Sequence, residues 1–63
     1  MDKITYDVVI HLENNKYEWS IIRYKYWHGD DATDINVIHS GIDSSYTEAN
    51  ENIQKQLKEL KLI

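Results

Sequence analysis

The stretch RYKYWHGDDATD, Arg23 to Asp34, places three aromatic residues, one histidine and three aspartates within twelve positions of a 63-residue chain. Histidine beside carboxylates is a donor set for zinc, manganese or iron, and His28, Asp30, Asp31 and Asp34 supply one. Their spacing matches neither a standard cage nor the calcium loop of an EF-hand. They read as a solvated acidic loop, and no metal or cofactor is expected. Asp30 and Asp31 are adjacent, so on an extended chain they point apart and make a poor acid/base pair. Tyr24, Tyr26 and Trp27 alternate with Arg23 and Lys25, a pattern that suits a stacking platform for single-stranded nucleic acid at about 1–3 kcal/mol per base. A chain without phenylalanine needs its tyrosines for packing, so Tyr24 and Tyr26 read first as core or interface residues. His11 falls outward beside Asp7 and Glu13. His39 shares its parity with Ile35 and Val37, which gives it a partly buried, structural role. Neither histidine has a serine or carboxylate at triad spacing. No enzyme is expected.

The composition narrows the classes further. The net charge is −4, from 11 acidic and 7 basic residues, the wrong sign for a protein that holds a phosphate backbone through a Lys/Arg surplus. Nucleic acid is therefore the disfavoured partner and a basic protein the favoured one. With no cysteine, neither a disulfide nor a thiolate zinc site can staple the fold. A domain this small is marginal alone, which leaves a histidine/carboxylate metal site, good packing or oligomerisation. MDKITYDVVI has no basic region followed by an apolar run, so no signal peptide is expected. No apolar stretch approaches the roughly 20 residues of a spanning helix. The expectation is a soluble, cytoplasmic protein without a membrane partner. The abundance of Ile, Asn, Lys and Tyr fits an AT-rich bacterial or phage genome.

ITYDVVIHLE carries Ile4, Tyr6, Val8, Ile10 and Leu12 on one parity, the mark of a half-buried strand. NNK follows as a tight hairpin turn, because Asn tolerates positive φ. YEWSIIRYKYWH is a second strand whose apolar parity changes midway, from Tyr17, Trp19 and Ile21 to Ile22, Tyr24 and Tyr26. Either a bulge near Ile21 and Ile22 re-phases it, or both sheet faces are partly covered, with Arg23, Lys25 and Trp27 on the second. GDDAT is a loop. DINVIHSGI is a third, weaker strand with Ile35, Val37 and His39 on one face and Ile38 and Ile42 on the other. Ser45 then caps a helix, with Glu48 completing a capping box. The helix runs to about Leu62 with Tyr46, Ala49, Ile53, Leu57 and Leu60 on one stripe. The predicted architecture is a single α+β domain over 1–63: a three-stranded antiparallel β-meander with one C-terminal helix packed on one face.

This layout resembles the N-terminal domain of HicB-type antitoxins and their stand-alone relatives. The likeness lies in YDVVIHLENNKYEWSI, similar to that family's first strand, acidic turn and second strand. It lies also in SGIDSSYTEANENIQKQL, where a Gly precedes a Ser/Thr cap, then Glu-Ala, then an amphipathic helix. The resemblance implies a small α/β domain that pairs with a toxin RNase or with itself, and no catalytic residue. YWHGDDATD replaces the family's Pro-Gly segment after the second strand. The resemblance does not extend to the DNA-binding module of the full antitoxins, so it implies no repressor function.

Together these readings describe a non-catalytic interaction module that binds, and by binding inhibits, a protein such as a toxin RNase, another nuclease or a host regulatory enzyme. A phage or mobile element would be a fitting source. Tyr24 and Tyr26 anchor the partner, while Trp27, His28, Asp30 and Asp31 present contacts. The alternative is a single-stranded nucleic-acid or nucleotide binder using the aromatic sheet face. One helix covers one sheet face, so Val9 and part of the 35–42 segment remain for a homodimer. Arg23 and Lys25 beside that face favour edge-to-edge pairing over stacking, which would bury them.

Overall fold

The computed structural model describes residues 2–27 and 32–62; His28, Asp30 and Asp31 lie outside them. Strands β1 (Asp2–Glu13), β2 (Lys16–Trp27) and β3 (Ala32–Asp43) form one antiparallel sheet in the order β1-β2-β3, and helix α1 (Tyr46–Glu59) follows. The βββα meander read from the sequence is the fold. The third strand is as long as the other two, at 12 residues, and it extends the DINVIHSGI span by Ala32 and Thr33 at one end and by Asp43 at the other.

Asn14 and Asn15 have φ of 52° and 61°. Positive φ at both central residues is what a two-residue type I′ hairpin needs to match the twist of its strands, and it joins Glu13 to Lys16. From that turn β1 and β2 pair without interruption as far as Asp2 opposite Trp27. The parity change in β2 is therefore no bulge in β2. The irregularities lie on β3: Ile21 pairs with His39 but Ile22 with Val37, and Lys25 with Asp34 but Tyr26 with Ala32. Ile38 and Thr33 are the extra residues. A bulge turns two neighbours toward similar sides of the strand, so Ile38 packs against the core beside His39. That corrects the faces assigned to β3. Ile35, Val37 and Ile42 all project from the outer side of the sheet, away from α1, and His39 shares the inner side with Ile38.

The buried core is small: Trp19, Ile21, Ala49 and Ile53, bordered by Ile10, Tyr17, Ile38, Leu57 and Leu60. It occupies one end of the molecule. Strands of 12 residues run about 40 Å, and the molecule measures 41 × 24 × 13 Å, whereas a 14-residue helix spans about 21 Å. Helix α1 packs on β2 and β3, leaving the far half of the sheet bare, and β1 as well except where Ile10 borders the core. The radius of gyration, 13.3 Å, exceeds the roughly 11 Å of a compact chain of this length.

Both helix ends are closed by the chain itself. Ser45 is the N-cap, and its hydroxyl accepts from the Glu48 N–H at 3.2 Å. The Glu48 carboxylate accepts from the Ser44 hydroxyl at 3.1 Å. At the other end Lys61 takes φ of 60°, the Leu62 N–H donates to the Leu57 carbonyl at 2.9 Å and the Lys61 N–H to the Lys58 carbonyl at 3.0 Å, which is the Schellman pattern. Ser45→Ala is expected to cost about 0.5–2 kcal/mol, read by urea unfolding. Ser44→Ala, which removes only an exposed contact, should stay within about 0.5 kcal/mol of the parent. The reverse order would place the cap one residue earlier.

Candidate protein-interaction surfaces

On the inner side of the sheet, the row Ile4, Tyr6, Val8, Ile10 and Leu12 of β1 faces the same way as Tyr17, Trp19, Ile21, Arg23, Lys25 and Trp27 of β2. Helix α1 covers only the Trp19 end. Ile4, Tyr6, Val8, Leu12 and Trp27 are exposed, Trp27 by 55%. Arg23 and Lys25 are half-buried among them, opposite Asn36 and Asp34 of β3. This tract combines an apolar row, a tryptophan and basic side chains.

The outer side differs. Ile22 pairs with Val37 and Tyr24 with Ile35, and Ile35 and Val37 are exposed by 60% and 61%. Tyr26 carries the Lys3 ammonium 5.7 Å from its ring centroid. Toward the hairpin the pair Ser20 and Ser40 leaves a shallow cleft of about 360 Å³ rimmed by Glu18 and Ile42. The charged side chains of this face belong to β1 and to the hairpin end of β2. None comes from β3.

The residues singled out as one contact set thus divide. Tyr24 and Tyr26 project from the outer face and Trp27 from the inner one, because alternation along an unbroken β2 gives them opposite parity. His28, Asp30 and Asp31 lie outside the described residues. Asp34 accepts from the Asn36 amide at 3.0 Å, and among the described residues no three His, Asp or Glu side chains gather as a metal site. His11 sits 3.4 Å from Glu13 at the surface, and His39 is half-buried opposite Ile21.

Sequence reasoning missed the polar clamp that fixes the core. The Trp19 indole Nε1–H donates to the Asp43 carboxylate at 2.9 Å, and the Asn52 amide donates to both Asp43 oxygens at 3.0 Å. Asp43 thereby ties β2, β3 and α1 together. The indole reaches Asp43 by crossing Gly41, where a Cβ would lie 2.7 Å from Cζ2 and 2.8 Å from Cε2 and Nε1. One signal was available: a buried tryptophan needs an acceptor for its N–H.

The fold and these surfaces define a small α+β domain of βββα order with two bare, chemically distinct sheet surfaces. Comparison with protein-family models, curated proteins and solved structures finds no match. Among the described residues no helix is long and apolar enough to cross a membrane.

Proposed function

We propose that this chain is a non-catalytic interaction module, self-associating and acting in the cytoplasm by binding and inhibiting a protein partner. The observation that carries the reading is the bare inner tract: Ile4, Tyr6, Val8 and Trp27 remain exposed where α1 does not reach. Contiguous apolar surface of this kind marks interaction sites, and Trp, Tyr and Arg are the side chains that dominate binding energy. Trp27 is the anchor, flanked by Arg23 and Lys25. A net charge of −4 attracts a basic partner such as a toxin RNase or another nuclease at long range, in keeping with the resemblance to HicB-type antitoxins, whereas the contact at Trp27, beside Arg23 and Lys25, is made through apolar and aromatic surface. Affinity capture from a bacterial lysate, with the retained protein identified by mass, tests it. Wild type should hold one dominant protein, and Trp27→Ala should weaken that complex roughly 30-fold, the loss of a hot spot. Equal retention by both chains removes Trp27 as the anchor, and retention of no protein by wild type removes the reading.

A second reading rests on Tyr24 and Tyr26 sharing the outer face with Lys3, the elements of a base-stacking surface. Nucleic acid retained in place of protein, with affinity falling linearly against log salt, would favour it.

A further inference from the structure

We infer that the outer face of the sheet is where two copies of this chain stack about a two-fold axis, the ridge of each entering the hollow of the other. The inference rests on the self-association proposed above and says where it occurs.

The chemistry of the face chooses the occupant. Along β2 and β3 its side chains are uncharged from Ser20 to Tyr26 and from Ala32 to Ile42. Homodimer interfaces are more apolar than those of transient complexes. The inner tract, with Arg23, Lys25 and Asp34 among its apolar residues, has the mixed character of the second kind. Arg23 and Lys25, the charges that would have opposed stacking, project from the inner side and do not enter the stacked surface.

Relief points the same way. The paired Ile22 and Val37 and the paired Tyr24 and Ile35 are large side chains that stand above the serines Ser20 and Ser40, whose cleft lies two to four residues along β2, about 7–13 Å away. A two-fold axis between ridge and cleft brings each ridge onto the other copy's cleft, which is the self-complementarity an isologous interface requires. The area suffices as well. A face 41 Å long and three strands wide, at about 4.8 Å per strand, projects about 600 Å², with Lys3, Asp7, His11 and Glu13 of the edge strand β1 as the charged rim around the uncharged rows of β2 and β3. Its pleated accessible surface is larger and approaches the roughly 800 Å² per partner of a stable interface.

The strand edges are poorer alternatives. On β1 the Asp7 carboxylate accepts from the Val8 N–H at 2.9 Å, occupying a main-chain donor in mid-strand. On β3 the bulges at Thr33 and Ile38 break the register an added strand would follow. Charge and bulges are how sheet edges resist pairing. With its inner tract outward, the stacked dimer keeps the exposed surface of Trp27 on its outside.

Sedimentation equilibrium and thiol alkylation test the inference. Wild type should sediment as a dimer at micromolar concentration. Val37→Lys should weaken the dimer roughly 30-fold or more, as a charge placed at an interface centre does, whereas Trp27→Ala should leave it intact. Ser40→Cys, a conservative change at an exposed position, supplies a second readout, and its thiol is unique because the chain has no cysteine of its own. Its thiol should react with iodoacetamide several-fold more slowly at concentrations where the dimer forms than after dilution, while Thr47→Cys on the exposed side of α1 reacts equally at both. If Val37→Lys does not fold, the alkylation rates decide. A Ser40→Cys thiol as reactive in the dimer as in the monomer overturns stacking through this face and leaves self-association standing. A wild-type monomer up to millimolar concentration overturns both.

Discussion

Gly41→Ala, the addition of one methyl group, is expected to lower the unfolding free energy by about 3 kcal/mol. Overpacking costs about 1–3 kcal/mol, and loss of a hydrogen bond to a charged group about 1.5–3 kcal/mol. The new methyl would sit 2.7–2.8 Å from three atoms of the Trp19 indole, which are fused-ring atoms and not the end of a flexible chain. The ring cannot yield cheaply, because Asp43 holds its Nε1 and the rest of it is in the core. Relief of the clash and retention of the Asp43 bond are therefore incompatible. Domains have about 0.05–0.15 kcal/mol of stability per residue, so at 63 residues this loss is a third or more of the total. Urea unfolding followed by circular dichroism reads the change. A double-mutant cycle isolates the cause. In a Trp19→Leu background, held folded with trimethylamine N-oxide if needed, Gly41→Ala should cost under about 1 kcal/mol. An equal cost in both backgrounds would mean that backbone conformation, and not the indole, requires the glycine.

That pair shows where the sequence was readable and where it was not. The even row of β1, the Asn14-Asn15 turn and the Ser45 cap are set by interactions between residues close in the chain, so alternation and capping residues reveal them. The double parity of β2 was legible as a choice between a bulge and a sheet apolar on both faces. The unbroken pairing of β1 with β2 takes the bulge out of β2 and leaves it opposite Ile21 and Ile22, on β3; both faces are apolar, but the outer one is bare and not covered. What periodicity could not supply was the location of the bulges on β3, since an inserted residue is defined only against its partner strand. Reading INVIHSGI as one regular strand put Ile35 with His39 and Ile42 with Ile38, and Ile38 as the inserted residue reverses both. The clamp Trp19–Asp43–Asn52 joins positions 24 and 9 residues apart, a separation no local pattern encodes. The contact set around Trp27 was drawn from nearness in sequence, and neighbours on a strand face opposite ways.

The helix stripe, too, was legible as a stripe but not in its depth, and this fixes the second large effect. Ile53→Ala should cost about 2–5 kcal/mol, the range for emptying a buried aliphatic site, and Leu57→Ala only about 1–2 kcal/mol, as for partial burial of a leucine. On period alone the two are equivalent. The structure separates them because α1 crosses β2 and β3 with its middle over Trp19 and Ile21: Ala49 is wholly buried and Ile53 is 2% exposed, while Leu57 only borders the core. Tyr46, at the other end of the stripe, is exposed and meets Tyr17 edge-on with ring centroids 5.9 Å apart. Of the buried residues around Ile53, Trp19 is pinned by Asp43 and Ala49 has no side chain beyond Cβ, so neither can move in to fill the space. Unfolding must be compared at one protein concentration, because self-association adds stability by mass action. Leu57→Ala costing more than Ile53→Ala would mean that α1 sits one turn along, with Leu57 over Trp19. Ile53 is on the opposite side of the sheet from Val37, so the two substitutions should act separately: Ile53→Ala lowers the fraction folded while the folded chains associate as before, and Val37→Lys acts on association first.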